Sequence, residues 1–231
     1  MNVYVSTCDK YDHLLNGFSY LFNKYWGADQ PVKILCYRKP PMELPPNFEI
    51  IILETPESKP WSTNMRTFFS QCTDEYFVFC FDDYFLKRPV NREKVKQLEL
   101  EVLCGAAKGD LSHNTNHFPH SVRHDGLVEA TQDAPYRSST QPAIWNRRHW
   151  LKLMEPGWNP WQFELTSRAG NDGARIIGFT EPVYDYANVF YKGGWDSYQS
   201  CRLQDDDIRV LTDRGALQPD ITADALIHLR K

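Results

Sequence analysis

The segment Tyr76-Phe77-Val78-Phe79-Cys80-Phe81 is wholly apolar and aromatic, holds neither Gly nor Pro, and stops at two adjacent carboxylates, Asp82 and Asp83. A run this short and this rich in Phe, Tyr and Val reads as a strand buried on both faces. Two like charges at the mouth of such a strand repel each other and lose hydration. Either they are solvated residues of a plain turn, or a hard cation offsets both costs, since carboxylate oxygens are what Mg²⁺ or Mn²⁺ prefers.

The residues before it alternate in character. Val3 to Ser6 reads as a strand followed by the polar turn Thr7-Cys8-Asp9-Lys10. Leu14, Leu15, Phe18, Leu21, Phe22 and Tyr25 recur at helical spacing, predicting a helix from about Tyr11 to Trp26 that stops at Gly27. Strands are expected at Val32–Tyr37 and Phe48–Leu53, then a helix from Ser62 to about Gln71 with Ser62 or Thr63 as its N-cap. A further helix spans Pro89 to Leu103. This β-α-β-β-α-β-α order argues for a mostly parallel, doubly wound sheet, whose ligands bind beyond the carboxyl ends of the strands. Asp9 and the Asp82/Asp83 pair both fall on that edge. Neither a dinucleotide fingerprint nor a phosphate-binding P-loop is present.

The second half is irregular. Gly105 to Thr140 is polar and rich in His; Gln141–Trp145 reads as a short strand and Arg147–Met154 as a short helix. Strands are expected at Arg175–Phe179 and Val183–Tyr184, and a helix at Ile221–Leu229. The chain of 231 residues suits one domain. We divide it into a ligand-binding half (1–110), a catalytic half (111–200) and a C-terminal extension (201–231). The net charge of −4 leaves no electrostatic footprint for non-specific nucleic-acid binding. No apolar stretch approaches the roughly 20 residues of a membrane span, and because Met1 to Ser6 reads directly as a strand, no leader is expected. The six cysteines form no C-x-x-C pair, so reduced thiols and a cytoplasmic location are expected. Seven Trp, 12 Tyr and 13 Phe, many beside Gly, Pro, Asn and Asp in the second half, favour an aromatic-lined cleft of the kind that packs on sugar rings.

The order of these parts resembles the GT-A glycosyltransferases, in particular small bacterial or phage members. The features that carry the likeness are the first strand with its polar turn, Phe81-Asp82-Asp83-Tyr84-Phe85, Gln141-Pro142-Ala143-Ile144-Trp145, and Trp158-Asn159-Pro160-Trp161-Gln162-Phe163-Glu164. The resemblance implies an α/β, GT-A-like (Rossmann-like) fold with an irregular aromatic-rich C-terminal half. It also implies a nucleotide-diphosphate sugar donor and Mn²⁺ or Mg²⁺ held at the acidic motif. That motif is commonly D-x-D in the family and contiguous here; Asp83 is assigned to the metal directly and Asp82 to the sugar or ribose. Ser6, Thr7 and Asp9 are expected at the nucleoside, and Arg66 at the nucleotide. Lys192 and Gly193 are expected at the diphosphate, where glycine lets backbone N–H groups approach; Trp195, Trp158 and Trp161 are sugar-stacking candidates. Glu164 is the candidate general base for the acceptor hydroxyl, its aromatic neighbours favouring proton uptake, with inversion expected. The acceptor is a glycan or lipid-linked glycan, or alternatively a hydroxymethylated base in DNA.

A DNA acceptor requires Lys87, Arg88, Arg123, Arg137, Arg147, Arg148 and His149 to share one face. A rival enzyme class rests on His113, His117, His120 and His124, flanked by Asp110 and Asp125: as metal ligands completed by Asp82 and Asp83 they would make a hydrolase. Pro119 and the Asn/Ser/Thr content instead favour a solvated loop. Oligomeric state is not legible.

Overall fold

The computed structural model describes residues 1–217 apart from Thr55 and His124; the expected helix at Ile221–Leu229 lies outside the described residues. In chain order the elements are β1 (Val3–Ser6), α1 (Leu15–Tyr25), β2 (Val32–Cys36), β3 (Phe48–Ile52), α2 (Trp61–Gln71), β4 (Tyr76–Phe81), β5 (Tyr84–Leu86) and α3 (Arg92–Leu103). The second half supplies β6 (Lys108–Asp110), α4 (Asn114–His117), β7 (His120–Val122), β8 (Leu127–Ala130), β9 (Ala143–Asn146), α5 (Arg147–Leu153) and α6 (Pro160–Glu164). It closes with β10 (Ile176–Phe179), β11 (Tyr186–Asn188), β12 (Phe190–Tyr191), β13 (Gly194–Trp195), α7 (Ser197–Ser200) and α8 (Asp205–Asp213).

Nine strands form one central sheet in the order β3-β2-β1-β4-β9-β6-β10-β8-β7, flanked by helices. The first four are parallel; β9 enters antiparallel between β4 and β6. Alternating side chains along each buried strand supply two cores. Val3, Val5, Val78 and Cys80 face α1 and α3, while Tyr4, Phe77 and Phe79 face α2 and α5. The second core is dense in rings: Phe69 stacks on Phe77 at 4.1 Å, and Trp150 meets Phe79 at 4.8 Å. Each such side chain removes roughly 1.5–3 kcal/mol worth of apolar surface from water.

The parallel order β3-β2-β1-β4 places a topological switch point between β1 and β4. The chain leaves β1 toward β2 and β3, then crosses back to β4, so the loops after β1 and β4 part and leave a crevice. Register puts Ser6 opposite Phe81, which brings the next residues, Thr7 and Asp82, side by side at its floor. Behind it, α1 packs so closely on β5 that a Cβ on Gly17 would stand 2.6 Å from the Phe85 ring.

Two local expectations are corrected, and one helix is added. Neither Ser62 nor Thr63 caps α2: its N-cap is Pro60, and Ser62 instead exchanges two bonds with Trp158, Oγ accepting from the Trp158 N–H at 2.8 Å and N donating to its carbonyl at 3.0 Å. Val183 and Tyr184 form no strand; both amides donate to the Leu111 carbonyl, and the strand comes two residues later as β11. Pro160–Glu164, left unassigned from sequence, is a helix with a reciprocal Asn159/Gln162 capping box and Pro at its start. No helix among the described residues is long and apolar enough to cross a membrane.

Candidate active site

A cleft of about 670 Å³ opens at the switch point. Its floor is the acidic turn, fixed by pairing of β5 with β11 and by the Val189 N–H donating to the Asp83 carbonyl at 3.0 Å. Asp82 is buried and accepts from Thr7 Oγ1 at 2.5 Å, while Asp83 Oδ2 is met by the Asn188 side-chain amide at 3.0 Å when that amide is oriented to satisfy its own neighbours. Asp83 Oδ1 is buried and has no hydrogen-bond partner among the described residues.

Burial and the neighbouring Asp83 carboxylate drive Asp82 well above the usual carboxylate range, and burial pushes Asp83 up to about 7. Two desolvated carboxyls that repel each other favour their protonated forms unless a cation offsets the charge. The donor set suits a small hard divalent ion, which takes one or two carboxylates and leaves its other positions to phosphate oxygens and water. An orphaned buried carboxylate oxygen is the atom such an ion would satisfy.

Glu164 ends α6 and lines the same cleft. Its Oε1 accepts from both the N–H and the Oγ1 of Thr140, each at 2.6 Å. Ser138 Oγ donates to the carbonyls of Phe163 (2.8 Å) and Glu164 (3.1 Å), tying the end of α6 to the same loop. The aromatic surroundings expected for Glu164 are not what holds it. Phe163 turns into the core and Trp161, 55% exposed, stacks on Tyr191 at the rim (6.0 Å, 23°). Cys8 also lines the cleft, but burial pushes its thiol up to about 11, so it is no thiolate nucleophile at neutral pH.

The other candidates divide. Ser6, Thr7, Trp161, Lys192 and Gly193 line the cleft. Lys192 (φ 51°) and Gly193 (φ 82°) are the two central residues of the β12–β13 hairpin, the conformation a tight two-residue turn demands. Asp9 lies off the lining: its carboxylate pairs with Arg38 at 3.2 Å, because Arg38 follows the end of neighbouring β2. Arg66 does not reach the cleft; it bonds the carbonyls of Leu151 (3.0 Å) and Met154 (2.8 Å), tethering α2 to the end of α5. Trp158 packs against the second core, and Trp195, on β13, turns against His13 and Phe190. Sequence reasoning missed Tyr11, Lys59, Trp61, Thr140, Tyr186 and Asn188, all on the lining. Thr140 adjoins the flagged Gln141, but nothing in its type marks it as a partner of Glu164.

The histidines assemble no metal centre among the described residues. His113 and His117 touch edge to face at 4.4 Å, His120 bonds the Phe118 carbonyl, and His124 lies outside those residues. Most of the basic residues are paired with carboxylates rather than free to meet phosphate. Lys87 and Arg88 both pair with Asp185, Arg123 with Glu101 and Asp125, and Arg137 and His149 are buried beside Asp172. Arg147 and Arg148 line a small hollow with Glu75, at the end of β4 remote from Asp82.

The central sheet, the switch-point cleft and the acidic turn stitched to β11 define an α/β, GT-A-like fold. Comparison with solved structures agrees on the fold: the chain superposes on S. aureus TarS 1–349 with a TM-score of 0.51 and 13% identity. The match covers 92% of this chain and 64% of that one, so the chain spans less than two thirds of its neighbour. No protein-family model and no curated protein matches the sequence.

Proposed function

We propose that the chain is a metal-dependent glycosyltransferase that moves a sugar from a nucleotide-diphosphate donor to an acceptor hydroxyl. One observation carries the reading: a single cleft gathers the acidic pair, the β1 turn, the Lys192-Gly193 hairpin and a carboxylate held from behind by Thr140. The GT-A-like fold supports it. The nucleoside lies over Ser6 and Thr7, and Asp83, through its unpartnered Oδ1, with Asp82 holds Mn²⁺ or Mg²⁺. When bound, the cation neutralises the leaving diphosphate. Lys192 and the open backbone at Gly193 face that diphosphate from the hairpin. Glu164 takes the acceptor hydroxyl proton; with Oε1 committed to Thr140, Oε2 is the basic atom, and direct displacement gives inversion. Trp161 and Tyr191 flank the entrance. The carboxylate-paired basic residues favour a glycan over a DNA acceptor.

The test is nucleotide diphosphate release from a panel of sugar nucleotides with Mn²⁺, with mono- and oligosaccharides as acceptors. Acceptor-stimulated release, lost in Glu164→Gln, is expected. Release that needs no acceptor and survives that substitution would mean a hydrolase instead.

A further inference from the structure

Lys108 has no part in the reading above, yet it is costly to keep. It lies on β6 between β9 and β10, only 1% exposed, and burial weakens its hold on its proton. It forms no ion pair with any described residue. Its neighbour Asp110 is already occupied by the N–H and hydroxyl of Ser112 and of Thr115, at 2.6–3.1 Å. The ammonium sits over the Trp145 ring at 4.8 Å and donates to the Ser139 carbonyl at 2.8 Å. A buried charge with so little compensation is commonly matched or bettered in stability by an apolar residue of similar volume.

The carbonyl it binds belongs to the peptide unit that joins Ser139 to Thr140, and the N–H of that same unit donates to Glu164 Oε1 at 2.6 Å. We propose that Lys108 is a positioning residue for Glu164, acting through this one peptide group and as a charge that faces the carboxylate. The ammonium attracts the carboxylate directly and also polarises the C=O, which strengthens the N–H donor opposite and keeps the carboxylate aimed. The loop is fixed independently of Lys108. Arg137 bonds the carbonyls of Thr131, Ala169 and Ala174, and Ser138 bonds those of Phe163 and Glu164. Removing the charge therefore leaves the geometry and takes away the polarisation. The other groups that face the pair are Asp110, Arg137 and His149 beside Lys108, and the phenols Tyr84 and Tyr186 near Glu164; all are the same in each variant below.

The coupling stands apart from the transferase reading; only its use in catalysis rests on it. The test is a ¹³C NMR pH titration of carboxyl-labelled glutamates in wild type, Lys108→Met, Lys108→Gln and Lys108→Arg, with Glu164→Gln assigning the signal. The Glu164 midpoint is expected to rise by roughly one pH unit in the Met and Gln variants and to stay near wild type in Arg. An unchanged midpoint in a folded Met or Gln variant would overturn the proposal. Gln keeps a donor to Ser139, so it carries the test if Met fails to fold. A raised midpoint in a protein that turns over no sugar nucleotide would keep the coupling and discard the transferase. Where transfer is measured, the acid limb of the rate profile moves to higher pH and kcat falls with donor KM unchanged.

Discussion

Replacing Asp83 by Asn should stabilise the metal-free protein, and by an amount that depends on pH. Burial raises Asp83 from its usual 3.8 to about 7, so between those values the folded chain holds a proton that the unfolded chain has released. Stability therefore falls as pH rises through this window, by about 1.4 kcal/mol per unit, and levels off above pH 7. The whole shift corresponds to roughly 4 kcal/mol. Asn carries no charge to desolvate and keeps the shape, so it should recover most of that difference. For a chain of this size 1 kcal/mol is worth about 2–4 °C in Tm, which makes the gain of the order of 10 °C at pH 8 and small near pH 4. The assay is thermal unfolding of wild type and Asp83→Asn in EDTA at unit steps from pH 4 to pH 8. A gap that does not widen with pH, or a variant less stable than wild type at pH 8, would refute the reasoning that the pair is a desolvated, uncompensated site.

Three further outcomes are expected. Glu164→Gln should lower kcat for transfer by about 10²–10⁴-fold while the affinity for nucleotide diphosphate, measured by calorimetry, is unchanged; weakened nucleotide binding would place Glu164 at the donor instead. Arg66→Ala should cost about 1–3 kcal/mol in urea unfolding, because two carbonyls lose a charged donor, and should leave nucleotide affinity intact; a loss of affinity would return Arg66 to the cleft. Gly193→Val should destabilise the hairpin by about 1–2 kcal/mol, since its φ of 82° strains any side chain. It should weaken nucleotide diphosphate binding more than it lowers Tm, whereas equal affinity in the variant would remove the hairpin from the diphosphate site.

The first half of the fold was legible because its central strands β1 and β4 are buried along most of their length and its helices are amphipathic: Val3–Ser6, Tyr76–Phe81 and the repeat from Leu14 to Tyr25 say the same thing at the level of pattern and of packing. The second half was not, because β6, β7 and β11 are three-residue strands, such as Lys108-Gly109-Asp110, whose polar residues are chosen by tertiary partners. The acidic pair could be found because its cost in a buried strand end is visible in the chain itself. Arg66, Asp9, Trp158 and Trp195 could not be sorted from the true lining, since their alternatives are carbonyls, an arginine and ring partners far away in sequence. The bond from Thr140 to Glu164 spans 24 residues, and no spacing rule announces it.

The central claim is that the acidic turn receives a divalent cation together with a nucleotide diphosphate. The direct measurement is the Tm of the protein with each nucleotide diphosphate and sugar nucleotide, with and without Mn²⁺, beside Asp83→Ala. Ligand that binds the folded chain must raise Tm by mass action. A Mn²⁺-dependent rise with one nucleotide, abolished in Asp83→Ala, is the predicted result. No rise with any nucleotide, or a rise indifferent to both Mn²⁺ and Asp83, would contradict it.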